Sequence, residues 1–102
     1  GDITGGITGD VQALSGAGAV NLTSLITEVT TTGTDALTLA NGTSGQVKIV
    51  TMTVDGGVGT LTPATFANGT TLAFQDVGDT VTLVYTTAVG WVLASNVGVT
   101  LA

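Results

Sequence analysis

Forty of the 102 residues are valine, isoleucine or threonine. Such β-branched side chains are stiff at χ1 and suit a pleated sheet better than a helix. No window of ten or more residues joins an i, i+3, i+4 apolar rhythm to good helix formers. Sixteen glycines divide the β-branched runs. The expected fold class is therefore all-β, built from strands and turns, and a chain of this length supports one hydrophobic core.

Apolar runs and turn clusters alternate at the spacing of about 8–12 residues that marks sandwiches and barrels. The expected strands are Val20–Val29, Ala36–Ala40, Gln46–Val54, Gly59–Thr62, Thr70–Phe74, Thr80–Thr86, Gly90–Ser95 and Gly98–Leu101. Asn41-Gly42, Asp55-Gly56-Gly57 and Asn68-Gly69 supply residues that tight hairpins favour. Pro63 cannot donate to a ladder and should mark a strand end or an edge. The pattern predicts a single small antiparallel β-sandwich over residues 20–102.

Ahead of it, residues 1–19 read as an extended Gly-rich arm or stalk. Ile-Thr-Gly repeats there at an offset of four residues, which puts Ile3, Ile7 and Val11 on one face of an extended chain. One strand cannot bury such a face, so these three are candidate contacts to sister subunits or to the edge of another protein's sheet. Ser15-Gly16-Ala17-Gly18-Ala19 reads as the flexible joint between arm and body.

Alternation also assigns faces in the body. Val81, Leu83 and Tyr85 oppose Thr80, Thr82 and Thr86, giving a strand with one wet face. Gln46–Val54 differs: Val47 and Ile49 lie on one side, and Val50, Met52 and Val54 on the other. A strand apolar on both sides is covered on both, which makes these five residues candidate subunit contacts. Only 8% of the chain is charged, against about a quarter in ordinary soluble domains. That excess of apolar and neutral side chains also points to a homo-oligomer.

The charges exclude several functions. Seven carboxylates face one base, Lys48, for a net charge of −6, so nucleic acid and anionic membranes are not expected partners. Lys48 is expected on an exposed strand edge, where lysine discourages stray pairing. No apolar run is long enough to span a membrane as a helix, and Gly1-Asp2 opens no signal peptide.

Without histidine or cysteine, the commonest general base, thiol nucleophile and soft metal ligands are missing. Asp76 and Asp79 are the one carboxylate pair at close spacing, and with Asp55 they could be imagined around calcium. Their setting between two strands reads as a turn, so no catalytic residue, metal or cofactor is expected. Trp91 is a candidate surface-binding aromatic, although a core or interface place suits a Gly-Trp-Val-Leu-Ala strand better. Thr30-Thr31-Thr32-Gly33-Thr34 reads as a turn rather than a threonine ladder, and the three Asn-X-Thr triplets carry little weight in so threonine-rich a chain.

The segments Gly59-Thr-Leu-Thr-Pro63, Phe66-Ala-Asn-Gly-Thr-Thr-Leu-Ala-Phe74, Val77-Gly-Asp-Thr-Val-Thr-Leu-Val-Tyr85 and Gly90-Trp-Val-Leu93 follow one another through the C-terminal half. In that order they resemble the small β-rich virion modules of marine and cyanobacterial tailed phages: capsid decoration proteins, head fibres and tail-fibre tips. The resemblance implies a trimeric or otherwise symmetric, jelly-roll-like β-sandwich on the outer surface of a virion. It would bind the major capsid protein or another virion protein, decorating or cementing the capsid, or present a tip to a host-surface glycan. It implies no catalytic residues.

Overall fold

The computed structural model describes residues 9–102. Among them are ten strands and no helix: β1 (Val11–Ser15), β2 (Gly18–Val20), β3 (Ile26–Thr30), β4 (Asp35–Leu39), β5 (Val47–Val54), β6 (Gly59–Pro63), β7 (Leu72–Phe74), β8 (Thr80–Thr86), β9 (Gly90–Val97) and β10 (Thr100–Leu101). They form two five-stranded sheets. The first runs β1-β3-β5-β8-β9 and the second β10-β7-β6-β4-β2.

The expected antiparallel arrangement is corrected by the pairing, because four of the eight strand pairs are parallel. Strands β1 to β6 enter the first and second sheets in turn, so the chain winds between the sheets three times. Each return runs in the same direction as the strand it joins, and parallel pairing follows. From β7 onward the chain reverses on itself, and β7, β8, β9 and β10 add antiparallel strands to the free sides of β6 and β5.

The winding also changes the role of several turns. The segments at Asn41-Gly42 and at Asp55-Gly56-Gly57 are not hairpins but crossings from one sheet to the other. At the second crossing the buried Thr31 hydroxyl donates to Gly57 O at 2.8 Å and accepts from Gly56 N at 2.8 Å. A Cβ on Gly56 would collide with the Thr31 carbonyl, so this close approach needs glycine. The threonine run is a turn as expected, tied by Asp35, whose Oδ2 accepts Thr32 N at 2.9 Å.

Residues 11–20 are not a separate arm. β1 pairs with β3 and β2 pairs with β4, and the supposed joint is a corner. Gly16 adopts φ +74° there and donates its N–H to Thr30 O at 2.9 Å. The sheets therefore begin well before the expected boundary at residue 20, and Ile3 and Ile7 lie outside the described residues.

Inward side chains of both sheets meet in one core. Val29, Val50, Met52, Val81, Leu83 and Trp91 come from the first sheet; Val20, Leu37, Leu39, Leu61, Leu72 and Phe74 come from the second. At one end the sheets are also joined by backbone, since Trp91 N donates to Thr65 O and Ala67 N to Trp91 O, both at 2.9 Å. Phe74 is fully buried, whereas Val77 on the adjoining turn is 63% exposed. Phe74→Ala should cost about 3–5 kcal/mol by deleting core volume, while Val77→Ala should stay within about 0.5 kcal/mol. Urea unfolding of the two variants beside the parent checks this.

Candidate functional site

Three features outside the apolar core were candidates for function: the two outer sheet faces and the polar end of the core.

On the first sheet, register partners place Val11, Ile26 and Ile49 in one outward row. Val47, Val84 and Val92 form a second row beside it. Paired residues share a face, so the two rows make a continuous patch of β-branched side chains. Val11 is 51% and Val47 40% exposed, and the other four are half-buried. Glu28, next but one to Ile26 along β3, is exposed on this same face.

The outer face of the second sheet has a different chemistry. Its rows are Ala19, Thr38 and Thr62, then Ala36, Thr60, Ala73 and Thr100. No side chain in those rows is larger than threonine, and none is charged.

Lys48 is the clearest departure from expectation. It is fully buried rather than edge-exposed, because β5 alternates Lys48, Val50 and Met52 inward. Its Nζ donates to Ser24 O at 2.7 Å and to Asn21 Oδ1 at 3.1 Å, so the amine reaches polar groups of the β2–β3 loop. Burial lowers its pKa from 10.5 to about 8, since a poorly hydrated site disfavours the charged form.

The surrounding loop is held by further polar contacts. Asn21 Oδ1 also accepts Ser24 N at 3.0 Å, and Asn21 Nδ2 donates to Ser24 Oγ at 3.3 Å. Gln12 Oε1 accepts from Asn21 N and from the Thr27 hydroxyl at 2.9 and 2.8 Å. Gln46 Nε2 donates to Leu22 O at 2.8 Å. No buried side-chain nitrogen or oxygen among the described residues lacks a partner. An open cleft of about 440 Å³, lined by Leu22 and residues 41–46, lies beside this loop.

The other predicted site residues separate clearly. Val50 and Met52 are core residues with at most 1% exposure, which removes them from any subunit contact. The apolar second side of β5 is met by the opposite sheet of the same chain. Val47, Ile49 and Val54 remain on the surface or near it, Val54 at 50% exposure.

Trp91 takes the core place that its strand favoured, and the alternative of a surface-binding aromatic is corrected. It is completely buried, stacks edge-on against Tyr85 with centroids 5.2 Å apart, and donates Nε1–H to Ala40 O at 3.0 Å. Gly42 is pressed against its ring, where a Cβ would stand 2.9 Å from Cζ2. Asp79 is a loop cap whose Oδ2 accepts the N–H groups of Gln75 and Asp76 at 2.9 and 3.1 Å. No group of three or more acidic side chains is placed to share a metal ion among the described residues.

The sequence reading missed the Lys48 cluster. The available signal was period two: Lys48 stands in phase with Val50 and Met52, so an inward Val50 implies an inward Lys48. Comparison with protein-family models and with curated proteins finds no match.

The indole bond predicts a graded effect at Trp91. Trp91→Phe should cost about 1 kcal/mol for the lost hydrogen bond, and Trp91→Ala about 3–5 kcal/mol. Guanidinium unfolding of both variants provides the measurement.

Proposed function

We propose that this chain is a non-catalytic structural subunit on the outer surface of a tailed-phage particle. It assembles as a symmetric homo-oligomer, a trimer on the resemblance given above, and decorates or stabilises the capsid. The observation that carries the assembly is the outward apolar patch formed by Val11, Ile26 and Ile49 with Val47, Val84 and Val92. A contiguous apolar patch is a common mark of a protein interface. The sequence supports a non-catalytic role, because it supplies neither histidine nor cysteine and its one close carboxylate pair closes a turn.

The jelly-roll-like sandwich, the virion location and the capsid partner rest on the order of the Gly59–Pro63, Phe66–Phe74, Val77–Tyr85 and Gly90–Leu93 segments. A glycan-binding tip built on Trp91 loses its platform, since the ring lies inside the core.

At micromolar concentration the full chain should sediment as an oligomer. Val47→Asp with Ile49→Asp should shift it to monomer with its circular dichroism unchanged, because both side chains point out of the first sheet. A wild-type chain that sediments only as monomer would overturn the assembly.

A further inference from the structure

Among the described residues, Lys48 and Asn21 bring a buried amine against a partly buried carboxamide. The amine is fully buried and lies 3.1 Å from the carboxamide oxygen of Asn21. The β2–β3 loop fixes that carboxamide at both of its polar atoms, through Ser24 N to Oδ1 and Nδ2 to Ser24 Oγ. The Lys48 backbone is fixed as well, in a strand paired on both sides by β3 and β8.

We propose that Lys48 and Asn21 join in an intramolecular isopeptide bond. This is a modification of the chain itself and does not depend on the proposed virion role. In the reaction the neutral Nζ attacks Cγ of Asn21, and the Nζ–Cγ bond forms. The Cγ–Nδ2 bond breaks, one proton passes from Nζ to Nδ2, and ammonia leaves. An amine and a primary amide thus give a secondary amide and ammonia, with no oxidant, reductant or other reactant required.

Each feature of the cluster suits that step. Burial lowers the lysine pKa to about 8, which leaves a useful fraction near neutral pH as the free amine, the form that attacks. The Ser24 N–H already donates to Oδ1 at 3.0 Å, so it supports the charge that develops on that oxygen during attack. The Ser24 hydroxyl accepts from Nδ2 at 3.3 Å and is placed beside the departing nitrogen to relay to it the proton that Nζ gives up. Fixing both reactants in one packed site supplies the proximity that a reaction in solution lacks. The product would tie the start of β5 to the loop between β2 and β3.

The sequence provides its own assay, because Lys48 is the only lysine or arginine in the chain. Trypsin can therefore cut the denatured protein at one place, and acylation of Nζ removes that site. The folded wild-type chain should weigh less than its sequence by one ammonia and resist trypsin after denaturation. Asn21→Ala should restore the full mass and the cut. Lys48→Arg should do the same, since arginine keeps the trypsin site without the nucleophile.

Full mass with complete cleavage after Lys48 in the wild type overturns the proposal, and this reading needs no variant to fold. Asn41-Gly42 and Asn68-Gly69 can also lose ammonia by closing to a succinimide. Ammonia loss that leaves Lys48 open to trypsin belongs to those turns and equally overturns the crosslink.

Discussion

The structure depends on the burial of two inward ladders against each other. Neither sheet has an apolar layer that it can bury alone: Val29, Val50, Met52, Val81 and Leu83 on one side need Leu37, Leu39, Leu61, Leu72 and Phe74 on the other. Burial of this kind is the main favourable term in folding and has no preferred direction. Direction comes from the strands, whose side chains alternate strictly and so commit every second residue to the core. Winding the chain from one sheet to the other satisfies both demands with short connections. It also explains why residues 11–20, sparse in large apolar side chains, still belong to the fold: β1 and β2 complete the first winding by backbone pairing to β3 and β4.

A buried base in such a core needs a local reason. Lys48 lies in phase with Val50 and Met52 and would be costly there without polar partners. Asn21 and Ser24 supply them from the β2–β3 loop, and Gln12, Thr27 and Gln46 brace that loop in turn. The polar cluster therefore belongs to the fold as much as the valines do. It fixes how the β2–β3 loop sits over β5, which shortens the distance between an amine and a carboxamide that are 27 residues apart in sequence.

The two outer faces divide the remaining surface. One carries β-branched apolar rows and a single carboxylate along β3; the other carries only alanine and threonine in its rows. Since the only base in the sequence is buried, the side-chain charge at the surface is negative. A charged partner would have to bring cations to meet it. The apolar rows are suited instead to contacts made by shape and desolvation, which is the kind of contact that copies of one chain can make with each other.

Much of the local structure was legible in the sequence. β4, β6, β8 and the body of β5 fall within a residue or two of their expected spans, and Pro63 ends its strand as its missing N–H requires. Those outcomes follow from β-branched propensity, alternation and turn chemistry, which act over a few residues. Asn41-Gly42 and Asp55-Gly56-Gly57 were legible as reversals but not as crossings, because turn chemistry redirects the chain without selecting the sheet it enters. The same gap hid the interior position of Lys48: alternation groups side chains into two faces and leaves open which face is inside. The sequence by itself determined that this protein is made of strands, has one core and carries no histidine or cysteine chemistry. Only the tertiary structure decided the parallel windings, the covered side of β5 and the meeting of Lys48 with Asn21, because each depends on contacts between segments far apart in the chain.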